Sequence, residues 1–61
     1  MKWTKKENQR RYLLHRKVKK EGCRVLARRR TIYISYKQEV LSESILELRD
    51  RFNYSVQTEI E

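Results

Sequence analysis

The apolar pattern of this chain changes its period once, at a glycine, and that change limits the fold more than any other feature. Gly22 is the only glycine among the 61 residues, and there is no proline. Before it, Leu14 and Val18 are four residues apart, as on one face of a helix. From Cys23 onward, small or branched apolar residues fall at every second position, as in a strand. The sequence therefore predicts a helix that ends at Gly22 and a strand that begins beyond it.

The start of helix one carries a second signal. Thr4 followed by Glu7 matches a capping box, in which the hydroxyl and the carboxylate each accept a hydrogen bond from a free amide. Lysines are concentrated in the last turns before Gly22, where positive charge suits the helix dipole. We predict helix one over roughly residues 5–21.

Three arginines separate two alternating segments after helix one. Residues 23–27 and 31–36 both alternate, and the second segment is rich in β-branched and aromatic residues. We interpret them as a hairpin with Arg28, Arg29 and Arg30 at its tip, although no Asn-Gly or Asp-Gly turn signal is present. One long bent strand over residues 23–36 is the alternative.

The second half of the chain predicts one more helix and one more strand. The first residue of this helix is left open, because either Ser42 or Ser35 can cap it. Asn53 can adopt the left-handed conformation that ends the helix. Residues 54–61 alternate again and predict the last strand. The helix is indicated by apolar residues that share one face: Leu41, Ile45, Leu48 and Phe52.

These elements define an α+β fold in the order α-β-β-α-β. We expect one small basic domain over residues 1–61, with a three-stranded mixed sheet and helix two packed on one face. The strands on either side of helix two should be parallel, and the hairpin strands antiparallel. A chain this short buries a small core, so pairing of exposed strand edges into a homodimer is expected.

Composition excludes several classes of protein. No apolar run exceeds three residues, so we expect neither a membrane span nor a membrane partner. The basic N-terminal stretch has no apolar segment behind it, so we expect no signal peptide. A single cysteine cannot build a disulfide framework, so the expected compartment is the reduced cytoplasm.

Charge is distributed unevenly along the chain. Sixteen Lys and Arg against eight Asp and Glu give a net charge of +8 at pH 7. Residues 1–30 hold thirteen of the basic residues and two acidic ones, a net of +11, and residues 31–61 hold three against six, a net of −3. This asymmetry predicts a polyanionic partner for the first half.

Nucleic acid, either DNA or RNA, is the partner that we predict. Lys and Arg at this density can neutralise several phosphates, with low sequence specificity. The alternative interpretations are a solvated helix face and a hairpin tip whose charge prevents aggregation. The predicted nucleic-acid-binding residues lie on helix one and in the hairpin: Lys5, Gln9, Tyr12, Arg16, Lys19, Lys20, Arg24, Arg28, Arg29 and Arg30.

A protein-interaction module is the alternative function, with the basic half docked on an acidic partner protein. Helix two carries an acidic stripe, which we interpret as a solvated face and alternatively as a docking surface for a basic partner: Glu39, Glu43, Glu47 and Asp50.

Catalysis is not expected. His15 and Cys23 lack the further groups that a zinc site or a nucleophilic dyad requires, so we predict no catalytic residue, no metal and no cofactor. Tyr33 and Tyr36 are three apart and should point to opposite faces of a strand, which leaves only one of them for an open platform. We expect Tyr36 and Tyr54 in the core and Trp3 over its edge.

Overall fold

The computed structural model describes residues 2–38 and 40–59 and confirms the predicted order and class. Two helices and three strands follow one another as α1 (Lys5–Lys20), β1 (Arg24–Leu26), β2 (Thr31–Ile34), α2 (Glu43–Phe52) and β3 (Ser55–Thr58). Glu39 and the last two residues of the predicted final strand lie outside the described residues.

Both ends of α1 are fixed by the residues that predicted them. The Thr4 hydroxyl accepts from the Glu7 amide at 3.1 Å, and the Thr4 amide donates to the Glu7 carboxylate at 3.0 Å. At the other end, the amides of Gly22 and Cys23 donate to carbonyls of the last turn, and Gly22 has a φ of +90°. This pair of bonds is a Schellman motif, which needs a residue that tolerates positive φ.

The hairpin forms, so the long bent strand was wrong. β1 pairs antiparallel with β2, and Ala27 to Arg30 make the turn between them. The Arg30 amide donates to the Ala27 carbonyl at 3.3 Å, and Arg30 itself has a φ of +48°. A left-handed arginine in a longer turn explains why the short Asn-Gly signal is absent.

The rest of the sheet agrees with the prediction. β2 lies in the centre, and β3 pairs parallel with it from Thr31 opposite Ser55 to Ile34 opposite Thr58. The edge strands β1 and β3 are three and four residues long. Homodimer formation through these edges stays a prediction.

Ser42 is the residue that caps α2. Its side chain accepts from the Ile45 amide at 3.4 Å, whereas the Ser35 hydroxyl accepts from the Lys37 amide in an earlier turn. Asn53 ends α2 with a φ of 60°, as predicted. Leu41 precedes the helix but still packs against the core.

Both helices cover the same face of the sheet. Ile32 and Ile34 point to that face and are buried together with residues of α1 and α2, which pack side by side. Tyr54 belongs to this core as predicted, but Tyr36 lies beyond the end of β2 and is 49% exposed, so its assignment to the core was wrong. The core residues are Leu14, Val18, Cys23, Ile32, Ile34, Ile45, Leu48, Phe52 and Tyr54.

Trp3 covers the edge of the core, as predicted. Its ring meets that of Phe52 edge-on, with the centroids 5.8 Å apart. No helix in the described part of the chain combines the length and the apolarity needed to cross a membrane.

Candidate nucleic-acid interface

One side of α1 presents to solvent the six predicted nucleic-acid-binding residues that lie on this helix. We call this surface the α1 cationic face, and Tyr12 is its aromatic member, with 53% of the residue exposed. Within residues 2–38 and 40–59, no carboxylate forms an ion pair with any of its basic side chains. All six residues are exposed: Lys5, Gln9, Tyr12, Arg16, Lys19 and Lys20.

The acidic residues form their ion pairs elsewhere. Glu47 on α2 accepts two hydrogen bonds from the Arg10 guanidinium, both at 2.9 Å, and a longer one from Arg51. Hydrogen bonding to Arg10 lowers the pKa of Glu47 and raises that of Arg10. The interpretation of the acidic stripe as a purely solvated face was therefore wrong for Glu47, which joins α2 to α1.

The remaining pairs also leave the α1 cationic face unneutralised. Asp50 accepts from its neighbour Arg49 at 2.8 Å, and Glu59 accepts from Arg24 at 3.2 Å. Both pairs are exposed to solvent, where such contacts add little stability. The positive charge of α1 is thus concentrated on the side that faces away from α2 and from the sheet.

The hairpin tip supplies two free arginines and one that is packed. Arg28 and Arg29 are exposed, as the prediction requires of a phosphate-binding tip. Arg30 is half-buried, and its guanidinium carbon lies 4.8 Å from the centre of the Trp3 ring. The Arg11 guanidinium lies 4.5 Å from the same ring, so Trp3 connects the hairpin tip to α1.

Arg24 lies apart from the other predicted residues. It is opposite Tyr33 in the β1–β2 register, whereas the neighbouring Ile32 faces the helices. Because successive strand residues alternate between faces, Arg24 and Tyr33 are on the face that the helices leave open. The structure therefore distributes the ten predicted residues over the α1 cationic face, the hairpin tip and the far face of the sheet.

A buried polar cluster behind the α1 cationic face was not predicted. It consists of Arg11, His15 and Tyr54, with Arg11 and His15 only 8% and 5% exposed. The Arg11 guanidinium donates to the Tyr54 hydroxyl at 2.7 Å, and that hydroxyl lies 2.6 Å from Nε2 of His15. Arg11 and His15 share one helix face with Leu14 and Val18, because the four positions follow the i, i+3, i+4, i+7 spacing. This spacing is the sequence signal that could have predicted the burial of Arg11 and His15.

The polar cluster also supports the exposed aromatic ring of the site. The Arg11 guanidinium carbon lies 4.6 Å from the centre of the Tyr12 ring, and the His15 ring meets Tyr12 edge-on at 5.4 Å. Arg11 is held in turn by two hydrogen bonds to the Asn8 side chain. The buried, hydrogen-bonded polar cluster therefore supports the Tyr12 ring at the surface.

His15 is neutral in this environment. Burial, reinforced by the positive charges of Arg11 and Lys19, lowers the pKa of His15 to about 4. Since Arg11 donates to the oxygen of Tyr54, the Tyr54 hydroxyl proton is free to be donated to the unprotonated Nε2 of His15. The thiol of Cys23 is likewise neutral, because burial raises its pKa.

Comparison of the chain with protein-family models, with curated proteins and with solved structures gives no match.

Replacing Tyr54 with Phe tests the polar cluster. The substitution removes the shared hydroxyl and leaves the buried Arg11 and His15 groups without that partner, so we expect a loss of about 1–3 kcal/mol in the free energy of unfolding. Urea denaturation followed by circular dichroism measures it. Tyr33→Phe removes a hydroxyl on the open side of the sheet and should change the free energy by less than about 0.5 kcal/mol. Equal losses in the two variants would contradict the assignment.

Acidification should destabilise the fold before its carboxylates titrate. The pKa of His15 is about 4 in the folded state against 6.5 as its ordinary value, so the unfolded chain binds the extra proton first. The contribution of neutral His15 to the free energy of unfolding is therefore fully present above pH 6.5 and is lost as the pH falls towards 4. Between pH 7 and pH 5 we expect the free energy of unfolding to decrease by about 2 kcal/mol. Denaturation curves at these two pH values measure the change. His15→Gln should flatten this dependence, and an unchanged slope would exclude His15 as its source.

Proposed function

We propose that the protein is a small nucleic-acid-binding accessory protein without catalytic activity. The α1 cationic face and the hairpin tip contact the phosphates of DNA or RNA, with low sequence specificity. The observation that carries this proposal is the row of exposed basic side chains on α1 that no described carboxylate neutralises. Such a surface releases counterions when it meets a phosphate backbone.

The dimensions of α1 suit a phosphate backbone or a groove. At 1.5 Å per residue, its sixteen residues extend about 24 Å, or roughly seven base-pair steps of DNA. The cations of the α1 cationic face lie towards its two ends, so several phosphates can be contacted at once: Lys5 in the first turn, and Arg16, Lys19 and Lys20 in the last two turns. Gln9 and Tyr12 lie between them and are the residues of this face that can reach a base.

Docking on an acidic protein is the competing outcome. A purely electrostatic protein contact depends on the charges and does not require the amide of Gln9 or the ring of Tyr12. Nucleic acid can use both groups, through hydrogen bonding and stacking. Substitution of Gln9 and Tyr12 should therefore weaken the binding of nucleic acid but not the binding of an acidic protein. Substitution of the arginines should weaken the binding of both partners.

The proposal is tested by titration against double-stranded DNA, single-stranded DNA and double-stranded RNA at several salt concentrations. We expect a dissociation constant below about 10⁻⁶ M near physiological salt for at least one ligand, with a log–log salt slope of several units. Weak binding that disappears by about 0.15 M salt for all three ligands would contradict it.

The position of the interface is tested with two double variants that lose the same charge. Arg16→Gln with Arg28→Gln removes one cation from α1 and one from the hairpin tip, and should reduce the salt slope by about two because two phosphate contacts are lost. The matched control, Lys37→Gln with Arg49→Gln, removes two exposed cations from the second half of the chain. Its salt slope should stay near that of the unmodified protein, and equal losses would place the interface elsewhere.

A further inference from the structure

The face of the sheet that points away from both helices has no covering element in the described part of the chain. The strand register places Arg24, Tyr33 and Gln57 in one row across β1, β2 and β3. Leu26, Thr31 and Ser55 form the next row of the same face, and Thr31 in its centre is buried. We call this surface the open sheet face. Arg24, Ser55 and Gln57 are exposed, and Tyr33 and Leu26 are half-buried.

We propose that the open sheet face binds a single-stranded segment of nucleic acid, with one base stacked on the ring of Tyr33. This inference rests on the proposed function and adds a second surface and a preferred strandedness to it. An aromatic ring on an exposed sheet accepts an unpaired base because every base has a flat π-face.

The surroundings of Tyr33 favour this ligand. The ring lies on the central strand, and the Arg24 guanidinium carbon is 5.6 Å from its centre. Because this guanidinium lies over the ring, it must move aside when a base stacks on Tyr33, and it can then reach the phosphate that follows the base. On the other side of the ring, Gln57 offers an amide to a base edge. Arg28 and Arg29 extend the positive charge beyond the ends of β1 and β2.

The same residues argue against two other occupants. Leu26 is the only aliphatic residue in the two rows that define this face, and Arg24 places a charge within them. Interfaces between copies are usually apolar and poor in charge at their centre. A duplex keeps its bases stacked inside, so it cannot offer one to Tyr33.

Among the described residues, Glu59 is the acidic group that lies beside this ring, together with Arg24 and Thr58. Its carboxylate accepts from Arg24 at 3.2 Å, and the side chains of Arg24 and Glu59 are 68% and 41% exposed. A phosphate would therefore compete with Glu59 for Arg24. Glu59→Gln weakens that competition without altering Tyr33 and should tighten single-strand binding.

Fluorescence anisotropy with three labelled ligands tests the inference: a 15-nucleotide oligothymidylate, a backbone of the same length without bases, and a 15-base-pair duplex. Tyr33→Leu should weaken binding of oligothymidylate about tenfold and leave the other two ligands unaffected. Tyr33→Phe keeps the ring and should stay within about twofold of the unmodified protein. Tyr36→Leu, which removes a ring beyond the end of β2, is the matched control and should have no such effect.

Charge is tested separately. Glu59→Gln should tighten oligothymidylate binding about threefold more than Glu43→Gln, which makes the same change in net charge on the exposed side of α2. The circular dichroism spectrum of each variant is compared with that of the unmodified protein, so that a folding defect in Tyr33→Leu is recognised. If that defect occurs, Tyr33→Phe and the two Glu variants decide.

The outcomes separate the inference from the proposed function. Unchanged oligothymidylate binding in a folded Tyr33→Leu variant, or equal effects of the two Glu substitutions, would overturn the inference while binding of duplex leaves the proposed function intact. If the unmodified protein binds neither the duplex nor oligothymidylate, both the inference and the proposed function are overturned. Selective loss of oligothymidylate binding supports stacking on Tyr33.

Discussion

The hydroxyl of Tyr54 holds α1 to the rest of the molecule. The helix offers the core only Leu14 and Val18 as buried apolar side chains, so packing alone gives it a narrow contact. Tyr54 adds a point where two further residues of the helix, Arg11 and His15, meet the start of β3 through short hydrogen bonds. Satisfied networks of this kind specify one arrangement, because any displaced position would leave a buried charge or ring nitrogen without a partner.

That attachment determines which side of α1 faces solvent. With Arg11 and His15 turned inward and Arg10 paired with Glu47, the remaining basic side chains of the helix point outward. The acidic second half of the chain thus stabilises the packing of the helices without cancelling the outer charge. Charge segregation along the sequence becomes charge segregation on the surface, and the proposal of a polyanionic ligand for α1 rests on this segregation.

Local signals predicted the local structure well. The capping box at Thr4 and the glycine at residue 22 fixed α1, and the alternation on either side of the arginines revealed the hairpin. Burial of Arg11 was not predictable in the same way, because its partner Tyr54 is 43 residues away in the chain. Alternation separated the two faces of β2 but did not show that both helices cover only one, which leaves Tyr33 open. Whether the ten predicted residues bind nucleic acid stays a prediction.

The position of Trp3 has an optical consequence. It is the only tryptophan in the chain, and the guanidinium groups of Arg11 and Arg30 both lie within 5 Å of its ring centre. Arg11 is fixed by its buried hydrogen bonds, whereas Arg30 belongs to the hairpin turn. Indole emission responds to charge near the ring, so we expect movement of the Arg30 side chain to change the wavelength and intensity of Trp3 emission. Trp3 is therefore suited as an intrinsic fluorescence probe of the conformation of the hairpin tip.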